Sequence, residues 1–128
     1  MEEELLQHGM FSWSELMTKD AEAAKQFYAQ VFGWEYTEFP MEGMSYSVIK
    51  ANGQEIGGIM PVPPQAAGTP PHWGVYVTVD DVDASAKKAE KLGAAVIVPP
   101  TDIPDVGRFC VFRDPQGAVL SMITYLRK

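Results

Sequence analysis

The feature that most limits what this chain can fold into is an internal repeat with a period of about sixty residues, since both copies must bury their apolar faces in the same way. Thr18-Lys19-Asp20 opens an amphipathic stretch that ends at Gly33, and Val79-Asp80-Asp81 opens another that ends at Gly93. The echo continues past the helices. Tyr46-Ser47-Val48-Ile49-Lys50, then Gly53 and a strand, matches Phe109-Cys110-Val111-Phe112-Arg113, then Gly117 and a strand. Equivalent residues of a duplicated half-domain lie around a pseudo-twofold axis and can converge on one cavity, so function is sought there. At 128 residues the two copies must share a single domain.

Within each copy the hydrophobic period switches from two to 3.6 and back. Residues 10–17 alternate, with Phe11, Trp13, Glu15 and Met17 on one side and Ser12, Ser14 and Leu16 on the other. Ala24, Phe27, Tyr28, Val31 and Phe32 then form one helical stripe, with Asp20 as N-cap and Gly33 as stop, and Phe27 and Tyr28 read as core. Strands are predicted over 34–39, 44–51 and 54–60, joined by turns at Glu42-Gly43 and Asn52-Gly53. Residues 61–71, rich in Pro, Gly and Ala, form a connector. The second copy has a strand over 72–79, a helix over 82–92 with Val82, Ala86 and Ala89 inward, and strands near 94–98, 107–113 and 118–125, with Pro99–Pro104 as a loop. In the strand over 72–79, Trp73, Val75, Val77 and Val79 make an apolar face for a helix. His72, Gly74, Tyr76 and Thr78 look like a cavity wall.

A formal charge of −7 and a pI near 4.7 argue against phosphate backbones and anionic membranes as partners. Lys87, Lys88 and Lys91 share their helix with Asp81, Asp83 and Glu90 and read as solvated surface. One cysteine, Cys110, excludes an intrachain disulfide and, inside an apolar strand, reads as a buried structural thiol. Glu2, Glu3 and Glu4 ahead of Leu5-Leu6 are unlike a signal peptide, and no segment has membrane-spanning length, so a cytoplasmic location is expected. No Ser-His-Asp order, phosphate loop or Cys-x-x-Cys pair is present.

A βαβββ unit present twice, with helix-opening aspartates, Phe27-Tyr28 followed by Phe32-Gly33-Trp34, and Asp114-Pro115-Gln116-Gly117 before the last strand, resembles the vicinal oxygen chelate superfamily of glyoxalase I, bleomycin resistance proteins and extradiol dioxygenases. The resemblance spans roughly residues 9–126, with modules over about 9–61 and 72–126. It implies an α+β fold of two tandem βαβββ modules, whose curved mixed sheet forms a cup with helices outside. It further implies homodimerisation, a small-molecule ligand and, in metal-dependent members, His, Glu or Gln ligands from each module's first and last strands, leaving positions open for two substrate oxygens.

Carried over position by position, the first-strand ligand sites fall on Trp13 and Gly74 and the last-strand sites on Gly57 and Ser121. Trp, Gly, Gly and Ser cannot build a coordination shell, so the expectation is a metal-free site with no cofactor. The alternative is a two-residue shift that makes Glu15, Glu55 and His72 ligands for nickel, zinc, manganese or iron, in a lyase, isomerase or dioxygenase.

Glu15, beside aromatic rings, is a candidate base whose pKa such surroundings would raise; paired or solvent-facing placement is the plainer reading. His72 is a candidate proton donor or polar contact, or a strand-end histidine beside the Pro70-Pro71 turn. Trp13 and Tyr76 offer flat walls with a polar handle, or ordinary packing. Gly57-Gly58 leaves room for close approach by a ligand or by the facing module. Gly74 and Ser121 complete the candidate ligand-binding set. Whether the chain is catalytic is left open by the sequence.

Overall fold

The computed structural model describes residues 3–41 and 43–126, so Glu2 and Glu42, which entered the readings above, lie outside the described residues. The element order is βαβββ twice: β1 (Phe11–Thr18), α1 (Ala21–Phe32), β2 (Glu35–Met41), β3 (Met44–Ala51), β4 (Gln54–Pro61), β5 (His72–Thr78), α2 (Val82–Lys91), β6 (Ala95–Ile103), β7 (Gly107–Arg113) and β8 (Val119–Tyr125). Contacts gather into two compact units, Trp13–Gly74 and Met1–Ser12 with Val75–Lys128. Residues 9–12, counted with the first module from sequence, thus cluster with the second. Gly9 N–H donates to the Thr78 carbonyl, Thr78 N–H to Met10, and the Thr78 hydroxyl to the Leu5 carbonyl at 2.6 Å.

In the first unit the strand order is β2-β3-β4-β1, antiparallel except for β1 beside β4. In the second it is β6-β7-β8-β5, again with the β5–β8 pair parallel. The parallel pairs follow from the crossover helices, since a helix between β1 and the later strands returns the chain in the same direction. Asp20 caps α1 by accepting from Ala23 N–H at 3.0 Å, and Asp81 caps α2 through Ala84 N–H at 3.2 Å. Gly33 ends α1 at φ 74°, a left-handed conformation that a Cβ would disfavour, while its N–H satisfies the Ala29 carbonyl. Asn52 (φ 52°) and Gly53 (φ 78°) make the expected hairpin turn between β3 and β4.

Each unit has its own helix-side core. Leu16, Ile49 and Ile59 pack with Ala21, Ala24 and Tyr28 of α1. Val79, Cys110 and Met122 pack with Val82 and Ala86 of α2, joined by Val77. The apolar stripe read on α1 is wider than the face it buries. Phe27 and Phe32 are 59% and 60% exposed and Val31 is also exposed, so Phe27 is not core, and Tyr28 is only half-buried. The contacts that α1 makes with this core come from the small residues Ala21 and Ala24 near its N-terminal end and from Tyr28.

The region Pro99–Pro104 is not a loop throughout, because β6 runs on to Ile103. β6 lies at an end of the strand order, and register shifts between Val96 and Thr101 accommodate Pro99 and Pro100. β4 carries another irregularity: Ile49 pairs with Gly57 but Lys50 with Glu55, leaving Ile56 as an extra residue.

Ile59 is fully buried. Ile59→Ala is expected to cost about 2–5 kcal/mol in urea unfolding, whereas Phe27→Ser on the exposed helix face should stay within about 0.5 kcal/mol of the parent chain.

Candidate functional site

Alternation along β1 sends Leu16 to the helix-side core and turns Trp13, Glu15 and Met17 to the opposite sheet face. On that face Tyr46 of β3 is buried, and Trp13 and Glu15 are half-buried beside it. The Trp13 indole Nε1 donates to the Tyr46 hydroxyl at 2.8 Å, and that hydroxyl donates to Glu15 Oε2 at 2.7 Å. An indole N–H can only donate, so the phenol oxygen accepts from Trp13 and its hydrogen is directed to the carboxylate. Val48 and Met60 are buried around this chain, with Met17, Phe39, Met41 and Met44 packed against them. The Phe39 ring meets Tyr46 edge-on, with centroids 6.4 Å apart.

Tyr46 owes its position to Gly58. A Cβ at residue 58 would overlap the Tyr46 ring and hydroxyl, and at residue 57 it would collide with the Ser14 carbonyl of β1. The space left by Gly57-Gly58 is therefore filled by Ser14 and Tyr46 of the same unit, where the sequence alone allows a ligand or the facing module. Register also moves the last-strand position. Glu15 pairs with Gly58, as Tyr76 pairs with Ser121 in the second unit, because Ile56 inserts one residue after the Asn52-Gly53 turn. Gly58, not Gly57, is thus the counterpart of Ser121, and Gly57 instead lines a cavity of about 540 Å³ on the helix side with Tyr28, Phe32, Trp34, Ile56 and Trp73.

The remaining candidates are placed as follows. Gly74 has open space at its missing Cβ except for the Glu15 carbonyl at 3.9 Å. Tyr76 and Ser121 are buried cross-strand partners on β5 and β8. His72 is exposed, with Nδ1 2.9 Å from the Pro70 carbonyl, beside the Pro70-Pro71 turn. Glu55 is exposed. Among the described residues no three His, Cys, Asp or Glu side chains form a group able to hold a metal ion, so Glu15, Glu55 and His72 are not brought together. The positions to which the resemblance assigns ligands, Trp13, Gly74 and Ser121, with Gly58 in place of Gly57 once the register is known, offer an indole, two bare backbones and a hydroxyl, a donor set unsuited to a divalent cation.

Tyr46 was not singled out by sequence. The signal that finds it is the register: Val48 faces Gly58, so Tyr46 lies diagonally across from a strand glycine, where an aromatic ring covers the exposed backbone. Cys110 carries no reactive chemistry. It is fully buried, and burial pushes its thiol pKa up, with the fields of Glu90 and Asp83 adding to the effect.

Two tandem βαβββ modules, each with its first and last strands paired in parallel, define an α+β protein of the glyoxalase type. The chain belongs to the Glyoxalase/Bleomycin resistance protein/Dioxygenase superfamily, whose sequence profile matches residues 8–122. Similar proteins include "Putative glyoxylase CFP32" of Mycobacterium tuberculosis, 45% identical over 116 residues that cover 90% of this chain and 44% of that protein. They also include "Anthracycline biosynthesis protein DnrV" of Streptomyces peucetius, 32% identical over 127 residues, 89% of this chain and 46% of that one. The chain spans less than half the length of these curated relatives. Among solved structures, methylmalonyl-CoA epimerase from Mycobacterium tuberculosis superposes with a TM-score of 0.70 at 14% identity, covering 99% of this chain and 94% of that one, a likeness of fold.

Gly58→Ala is expected to displace the Tyr46 ring, lowering the melting temperature and shifting the Trp13 indole N–H resonance, while Tyr46→Phe shifts the same resonance with a smaller loss of stability. Cys110 is expected to resist a disulfide-exchange reagent in the native chain and to react fully once urea unfolds it.

Proposed function

We propose that this chain binds a small organic molecule on the sheet face carrying Trp13, Tyr46 and Glu15, without a metal ion. The observation that supports this reading best is the hydrogen-bond chain from Trp13 through Tyr46 to Glu15, which occupies the inherited first-strand ligand position with an indole and orients a carboxylate among apolar side chains. Trp13 supplies a flat surface for stacking. Glu15 supplies an acceptor and, if the bound molecule has a removable proton, a base. Tyr76 and Ser121 are proposed to serve the corresponding face of the second unit. Relatives named for glyoxylase activity and for anthracycline biosynthesis favour a small organic ligand over a macromolecule.

Homodimerisation is part of the proposal, as is a reducing, cytoplasmic setting, which the buried thiol of Cys110 favours. No helix among the described residues is long and apolar enough to cross a membrane.

Protein purified without chelator is expected to contain far less than one metal ion per chain and to show no thermal shift with nickel, zinc, manganese or iron(II). A small organic ligand at a hundred times its dissociation constant should add about 2.7 kcal/mol of stability. Stoichiometric metal bound by Glu15, Glu55 and His72 would reverse the reading in favour of a metal-dependent lyase, isomerase or dioxygenase. Sedimentation is expected to give twice the 14.1 kDa chain mass.

A further inference from the structure

We infer that the outer face of α1 from Gln26 onward, with Ile56 and Trp73 beside it, is the surface through which two copies of this chain meet. The inference rests on the proposed homodimer and names the face that holds it together. That face lies within the Trp13–Gly74 unit and uses none of the Trp13–Tyr46–Glu15 hydrogen-bond chain.

The duplication supplies an internal comparison. α1 and α2 hold equivalent places in the two modules, so a solvated, charged outer face is expected of both. α2 has one: Asp83, Lys87, Lys88, Glu90 and Lys91 are all exposed. α1 does not. From Gln26 to Trp34 the sequence has no charged residue, although 21% of the chain is charged, and Lys25, the last charge before that segment, is held by Glu22 and Glu38 at 3.0 and 3.2 Å. Phe27, Val31 and Phe32 are exposed in place of charges, with Gln26 and Gln30 as uncharged neighbours.

These side chains form one patch. Tyr28 meets Phe27 edge-on at 5.1 Å between centroids, stacks on Phe32 at 6.0 Å and meets Trp73 edge-on at 5.5 Å. The Trp73 indole N–H is used inside the patch, donating to the Tyr28 hydroxyl at 3.3 Å. Full burial of an aromatic side chain removes about 150–250 Å² from water, so exposures of 59%, 60% and 40% at Phe27, Phe32 and Trp73 leave roughly 300 Å² of aromatic surface in contact with it. That is over a third of the ~800 Å² that each partner buries in a standard interface, and Val31 and Ile56 add to it. Aromatic enrichment with depletion of charge marks the centre of an interface. The cavity of about 540 Å³ bordered by Phe32, Trp34 and Trp73 has room for a side chain of the second copy.

Charge selects the occupant. Each chain carries −7, and like charges brought into a desolvated contact repel with little screening. A face with no charge of its own is where two such chains approach at least cost, and in a twofold contact it is its own complement. A strongly basic or acidic partner finds nothing on it to pair with.

Sedimentation of the full chain over a range of concentrations tests this with Val31→Glu, Val31→Lys and, as a control on α2, Lys88→Glu. Each Val31 variant sets like charges across the twofold contact and is expected to raise the dimer dissociation constant about tenfold or more, while an equimolar mixture of the two should return it to within about threefold of the parent value. Lys88→Glu makes the chain more negative than Val31→Glu does and should leave the dimer as it is. Val31 is 55% exposed in the single chain, so its replacement acts on association and leaves the fold of one chain standing, as for Phe27→Ser. Where a Val31 variant does not fold, the unaltered chain decides: isotope-filtered NMR on mixed labelled and unlabelled copies is expected to show the Val31 methyls against aromatic rings of the second copy. A dimer unaffected by both Val31 variants, or lacking those contacts, leaves the homodimer standing and overturns the assignment of this face. A chain that stays monomeric at every concentration removes the homodimer reading and this inference with it.

Discussion

The first unit depends on one close approach: β4 lies against β1, and under Tyr46, only because residues 57 and 58 have no side chains. On one side of the strand the Ser14 carbonyl occupies the place of a Cβ, and on the other the phenol of Tyr46 does. Glycine weakens a strand through its greater chain entropy and its lack of packing surface. Here that cost is offset twice, by the β1–β4 pairing and by the ring that covers Gly58. The same ring delivers a hydroxyl to Glu15 and receives the Trp13 N–H. Backbone packing and the hydrogen-bond chain are thus one arrangement.

The duplicated modules share backbone grammar but not this chemistry. Pairing of Tyr76 with Ser121 in the second unit corresponds to pairing of Glu15 with Gly58 in the first, and Phe109 faces Ile123 where Tyr46 stands two residues from Val48. Gly74, Tyr76, Phe109 and Ser121 therefore stand for Trp13, Glu15, Tyr46 and Gly58. An indole has become a bare backbone, a carboxylate a phenol, and a phenol a phenyl ring. No hydrogen-bond chain of the same kind can be built from that second set, because Phe109 has neither donor nor acceptor.

Much of the fold was legible in local signals. The caps Asp20 and Asp81, the stop at Gly33 and the Asn52-Gly53 turn each act within a few residues, so their physics is contained in the sequence that displays them. Period-two alternation likewise put Trp13 and Glu15 together on one side of the strand, and the packing of Leu16 with α1 shows it to be the side away from the helix. What could not be read depends on partners distant in sequence. Phe27 and Phe32 fit a helical stripe as well as Tyr28 does, but how much of the stripe is covered is decided by the sheet beneath it. Pro99 and Pro100 look like breakers, yet a strand at the end of the order tolerates missing donors. Tyr46 was missed because its role is set by a glycine twelve positions later, across a hairpin containing the extra residue Ile56.

That extra residue also shows why position-by-position transfer from a family fails first in the last strand. Counting four residues from the turn glycine lands on Gly57 in one copy and Ser121 in the other, but the inserted residue rotates the first copy by one place, and one place exchanges the two faces of a sheet. Gly57 then belongs to the helix side, and Gly58 holds the inherited position. The substitution leaves the chemistry unchanged, since neither glycine has a side chain to offer a metal. Its consequence is steric: the position to which the resemblance assigns a ligand side chain is instead empty enough to admit Tyr46, whose phenol from β3 hydrogen-bonds the Glu15 carboxylate from β1.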